Sequence, residues 1–120
     1  MALAEIGSEV LPDPRLREIS VGAWNGLTRE EIQKQWPGPE DEHFIEMYAR
    51  APGGESFESV WDRVGDFLES LRSPTVVFTH GFTSRMLRTR AMGLSLAELD
   101  ELPGGQGVIF HLYNGQHNIL

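Results

Sequence analysis

Ser73-Pro74-Thr75-Val76-Val77-Phe78-Thr79-His80-Gly81-Phe82-Thr83 is the stretch that decides the fold. Ser73-Pro74 ends whatever precedes it, because proline donates no amide hydrogen bond and restricts the residue before it. Residues 75–79 are a short β-branched and aromatic run, the pattern of a buried parallel strand. A helix is expected over about 83–92, with Gly93 in the terminating position. Upstream, Phe57, Val60, Trp61, Val64, Phe67, Leu68 and Leu71 recur every three or four residues. They form one apolar stripe on a helix over about 56–72, with Ser56 able to cap its first turn. Helix, strand and helix in this order are the signature of an α/β layered domain, helices packed on a mostly parallel sheet. Ligands of such sheets bind beyond the carboxyl ends of the strands. That end carries Thr79, His80 and Gly81.

Outward from this centre the pattern is of short elements. Residues 8–12 read as a strand running into the turn Pro12-Asp13-Pro14, and 18–27 as a loop with tight turns at Gly22 and Gly26. Thr28 and Glu31 match a capping box for a helix to about Gln35. A further helix is expected over 40–49, broken by Pro52-Gly53-Gly54. Ser95 and Glu98 form another capping box, for a short helix ending before Pro103. Residues 107–113, Asn114-Gly115 and 116–120 read as a C-terminal hairpin with a type I′ turn. That turn pairs Leu112 with His117 and His111 with Asn118, so His111 and His117 face opposite sides and cannot share a metal.

The 120 residues amount to a single domain, with acids outnumbering bases 18 to 10 and a formal charge of −8. Such a chain is repelled by phosphate backbones, which disfavours a nucleic-acid partner. Cysteine is absent, which removes disulfides, thiolate metal sites and cysteine nucleophiles. The apolar runs fall far short of the ~20 residues of a membrane span, so no membrane partner is expected. No signal pattern opens the chain, and a cytoplasmic setting is expected by default. Neither a metal nor a cofactor is expected.

His80 is the focal candidate. Gly81 lets backbone approach a ligand closely, and the following helix start presents amide donors and partial positive charge, a seat for phosphate. Arg85, one turn on, and Arg88 could add cationic contacts. The alternative is a histidine that merely bonds at a strand end, with arginines on an exposed face. Glu18 is the second candidate. A carboxyl group beside a phosphate can protonate a leaving oxygen, and it can equally be a surface charge.

Three motifs carry a resemblance. Leu16-Arg17-Glu18-Ile19-Ser20-Val21-Gly22-Ala23-Trp24-Asn25-Gly26-Leu27-Thr28 resembles the L-R-E-x-x-x-G-x-W-x-G-L-T segment of the histidine phosphatase superfamily, the phosphoglycerate-mutase-like proteins. Pro52-Gly53-Gly54-Glu55-Ser56 is similar to that family's P-G-G-E-S helix start, and Val77-Phe78-Thr79-His80-Gly81 to its second histidine motif. Order and spacing also match, over nearly the whole chain. The resemblance implies phosphoryl transfer or hydrolysis of small phosphate esters through a phosphohistidine. It makes Glu18 the proton donor and His80 the second, phosphate-holding histidine; Gly81, Phe82 and Arg85, at the start of the following helix, are the expected substrate contacts. Phe82 stands where the family often has a small residue, which would narrow the space beside the phosphate.

The sequence departs from the family in one respect: no Arg-His-Gly occurs in the 120 residues, so the family's nucleophilic histidine is not among them. The segment after that motif is missing too, and residues 2–10 look like the tail of its helix and the next strand. The resemblance thus implies an incomplete, partial domain over 1–120. It leaves the 75–79 strand without its family neighbours, at a cost of roughly 1–3 kcal/mol for each buried unpaired backbone group. The expectations are a fragment or half of a split enzyme, inactive alone. Such a chain would re-pair its strands internally, with a second copy as a homodimer, or with a complementing N-terminal fragment. A non-catalytic phosphate-binding or association module is the competing expectation.

Overall fold

A computed structural model of the chain describes residues 10–104 and 107–120. Its elements are the helices α1 (Arg29–Gln35), α2 (Phe44–Ala49), α3 (Phe57–Ser70) and α4 (Gly81–Ala91), followed by the strands β1 (Phe110–Tyr113) and β2 (Gln116–Ile119). Short 3-10 turns cover Pro14–Leu16, Gly22–Trp24 and Leu96–Glu101.

Local chemistry sets most of these boundaries. The Thr28 hydroxyl accepts from the Glu31 amide and starts α1. The Ser56 hydroxyl accepts from the Ser59 amide at 3.1 Å and starts α3. Each cap satisfies an amide that the helix itself cannot. The Ser95–Glu98 capping box is present in full. The second helix starts later than the expected 40, at Phe44, because the His43 imidazole caps it and Glu42 is drawn into a bidentate pair with Arg50.

The core lies between α3 and α4. Val60, Val64 and Phe67 of the apolar stripe meet Phe82, Met86 and Leu87, with Ile19 and Leu99 closing the ends. Val60, Val64 and Met86 are fully buried, and each such side chain contributes roughly 1.5–3 kcal/mol. The helices cross closely at Gly65, where a β-carbon would collide with the Arg90 guanidinium that donates to the Trp61 carbonyl at 2.8 Å. A smaller cluster of Trp24, Ile32 and Met47 packs α1 and α2 together.

The expected parallel sheet is not found among the described residues. The one sheet there is the antiparallel β1–β2 hairpin. Its register is the expected one, with Tyr113 opposite Gln116, Leu112 opposite His117 and His111 opposite Asn118. Asn114 and Gly115 both take positive φ, as a type I′ turn requires. Residues 75–79 carry no strand pairing, so the reading of a buried parallel strand is corrected. Only one face packs inward, through Val77, while Val76 and Phe78 each remain 68% exposed. Exposed amides can bond water, so the segment escapes the cost of burial without re-pairing. The strand expected over 8–12 and the reading of residues 2–10 lie largely outside the described residues. The described part, from Val10 to Pro12, is not strand.

Candidate active site

The loop over residues 15–20 is held by its carbonyls. Arg63 Nη1 donates to the Arg15 carbonyl at 2.7 Å, and Thr79 Oγ1 to that of Leu16 at 2.6 Å. Thr83 Oγ1 donates to the Arg17 carbonyl at 2.7 Å, and the Glu55 amide to that of Ser20 at 2.9 Å. Donors from α3, from the 75–79 segment and from α4 therefore fix one short stretch of backbone. Glu18 sits in the middle of it.

The Glu18 carboxylate is aimed at the first turn of α4. Its Oε1 accepts from the amides of Ile19 and Thr83, both at 3.0 Å, with Thr83 Oγ1 also 3.0 Å away. Its Oε2 accepts from the Phe82 amide at 3.1 Å. An anion at a helix N-terminus satisfies orphan donors and the helix dipole together. This explains why α4 starts at Gly81 rather than near Thr83. Its cap comes from a distant loop, and His80 at the N-cap position supplies no side-chain cap.

His80 is exposed at this helix start, and so is Gly81. A β-carbon at Gly81 would meet nothing within 4 Å, so the space beside its α-carbon is open. His80, Gly81 and Glu18 thus converge on one helix end. Two other candidates have different places. The Phe82 ring is 3% exposed and packs against Tyr48 and Phe57, while its amide donates to Glu18. Arg85 is buried beneath the 96–101 turn, donating to the carbonyls of Leu99 and Leu102 and lying over the Phe44 ring. Its guanidinium is thus bonded to the protein's own carbonyls. Arg88 is likewise buried, with its guanidinium over the Phe110 ring. Burial pushes its pKa down to about 10, and the charge of Arg85 adds to this.

Glu55 and Arg63 supply the strut behind the loop. Arg63 Nε and Nη2 both donate to the Glu55 carboxylate at 2.9 Å. Both side chains are about nine-tenths buried. The Arg63 hydrogen bonds hold the Glu55 carboxyl below its ordinary range against the opposing effect of burial, and the Ser59 hydroxyl assists. Sequence reasoning missed Arg63 and Thr83 as site residues, and it placed Thr79 at the ligand-binding end without its loop contact. The partners of Arg63, Thr79 and Thr83 lie 48, 63 and 66 residues away, beyond the reach of any local pattern.

The model of the histidine phosphatase superfamily (branch 1) matches residues 1–118. Phosphoserine phosphatase 1 of Hydrogenobacter thermophilus is 32% identical over 100 residues, covering 75% of this chain and 46% of that protein. The phosphoglycerate mutase-like protein AT74H of Arabidopsis thaliana is 30% identical over 103 residues, covering 73% and 35%. Among solved structures, a mycobacterial glucosyl-3-phosphoglycerate phosphatase complexed with VO3 superposes with a TM-score of 0.68 at 24% identity, over 98% of this chain and 66% of that one. YhfR of Bacillus stearothermophilus gives a TM-score of 0.60 at 25% identity, over 98% and 64%. The chain therefore spans less than half the length of the two sequence relatives and about two thirds of the structural ones. It is a phosphatase-like domain, and it belongs to the histidine phosphatase superfamily, branch 1.

Proposed function

We propose that this chain carries the proton-donor and phosphate-holding half of a phosphoryl-transfer site for small phosphate esters. The observation that carries this reading is the Glu18 carboxylate seated on the first turn of α4 beside an exposed His80. In the family's chemistry a histidine nitrogen attacks phosphorus, forming an N–P bond as the ester O–P bond breaks. Glu18 would give its proton to the departing oxygen. His80 and the Gly81 amide would hold the phosphoryl oxygens, an electrostatic and positioning role. The relatives' names include a phosphoserine phosphatase and a glucosyl-3-phosphoglycerate phosphatase, which fits a small phosphorylated substrate. No helix among the described residues is long and apolar enough to cross a membrane, and a cytoplasmic setting is part of this reading.

The nucleophile must come from outside residues 1–120, because these contain no Arg-His-Gly. The chain alone binds phosphate analogues and does not turn over. Incubation with a generic phosphomonoester tests this. Turnover that disappears in His80→Ala and Glu18→Gln would contradict it.

One observation favours a second, compatible reading, that of association. Val76 and Phe78 are exposed on a segment that has no strand pairing among the described residues and whose Val77 lies on the core. Such a segment is a template for strand pairing. A second copy or a fragment carrying the nucleophile would complete a parallel sheet there. Sedimentation across a concentration series checks the first partner, with Phe78→Asp expected to abolish any self-association.

A further inference from the structure

We propose that Thr83 is a positioning residue that anchors the Glu18 carboxylate, and the backbone delivering it, to the first turn of α4 so that one direction of Oε2 stays free. The role rests on the reading of Glu18 as proton donor, and the anchoring itself can be tested apart from it. Thr83 is fully buried at the second turn-forming position after Gly81, and it meets Glu18 twice. Its amide donates to Oε1 at 3.0 Å, and its Oγ1 lies 3.0 Å from the same atom. The hydroxyl also donates to the Arg17 carbonyl at 2.7 Å, immediately before Glu18 in the chain. Oε1 accepts from the Ile19 amide as well, so two backbone amides fill its two lone-pair directions. Oε2 accepts one amide, from Phe82, and keeps one direction open. Oε1 is therefore the anchored oxygen, and Oε2 is the one that keeps a direction free for another partner. Thr83 holds both the carboxylate and the backbone that delivers it.

Amide hydrogen exchange of the 15N-labelled 120-residue chain tests the anchoring. In Thr83→Val the hydroxyl is lost at nearly constant volume. Protection at Phe82 and Ile19 should fall by on the order of tenfold, while Val64 in the middle of α3 keeps its value. Thr83→Ser should restore protection to within about threefold, since it returns the hydroxyl. Unchanged protection at Phe82 in Thr83→Val overturns the proposal. Should that variant not fold, the wild-type spectrum decides: a slowly exchanging Thr83 hydroxyl proton with an Overhauser contact to the Glu18 side chain is expected, and its absence overturns the proposal too. Neither readout involves phosphate or turnover, so failure here leaves the proposed function standing, and failed phosphate binding leaves the anchoring standing.

Discussion

Glu18 Oε2 lies 3.1 Å from the Phe82 amide nitrogen across 64 residues of chain. This contact turns a helix start into a chemical site. It caps α4 in place of a local side chain, and it fixes a carboxyl group one turn from His80. The same contact makes Glu18 a stability residue as well as a candidate proton donor.

Glu18→Ala should therefore destabilise the fold. Removing an N-cap acceptor costs about 1–2 kcal/mol, or roughly 4–8 °C in melting temperature for a domain of this size. Thermal unfolding followed by circular dichroism checks it. An unchanged melting temperature would show that the carboxylate does not cap α4.

Arg63→Ala should be more damaging, by about 3 kcal/mol, because it leaves a largely buried Glu55 without its bidentate partner. The pH dependence has a definite sign. The folded Glu55 carboxyl titrates below its unfolded value of ~4.3, so its contribution is complete above that value and is lost as pH falls through the folded one. Melting curves from pH 7 to pH 3 should show the wild type losing more stability than Glu55→Gln. Parallel curves would contradict the pair.

Gly22→Ala should cost at least about 2 kcal/mol, combining positive-φ strain with a clash. Gly22 has φ of +52°, and a β-carbon there would strike the carbonyl oxygen of Pro52. The 22–24 turn presses on the Pro52-Gly53 backbone, where the Ala23 amide donates to Pro52 at 2.9 Å. Denaturant unfolding measures the loss. A variant as stable as wild type would show that this contact yields easily.

Arg88→Met should be neutral or stabilising, by up to about 1 kcal/mol. Arg88 is 2% exposed, and its Nη1 finds no hydrogen-bond partner among the described residues. Its folded pKa of about 10 lies below the unfolded value, so the buried charge costs stability at all lower pH, and that cost is relieved as pH rises through about 10. A melting temperature several degrees below wild type would show that the contact with Phe110 outweighs the cost of burial.

Features governed by neighbouring residues were legible in the sequence. The Asn114-Gly115 turn fixed the hairpin register, and the Thr28, Ser56 and Ser95 caps fixed three element starts. The apolar stripe from Phe57 to Leu71 marked the core face of α3. Features set by distant partners were not legible. Nothing near Gly81 announces that Glu18 will cap α4, and nothing near Arg85 announces the carbonyls of Leu99 and Leu102. The 75–79 run is β-branched and aromatic, the pattern of a buried strand. Burial of the second face needs a partner, and composition cannot say whether one is there. Glu18 and His80 were legible only because whole motifs, rather than single spacings, surround them.

In the proposed site His80 and the Gly81 amide hold the phosphoryl group beside the proton donor Glu18. Titration of the labelled chain with orthovanadate, a mimic of the transferred phosphoryl group, tests it most directly. Saturable shifts of the Gly81 amide and the His80 ring are expected in the wild type, with the Gly81 shift lost in His80→Ala while the fold is kept. Saturating vanadate without a shift at either position would contradict it.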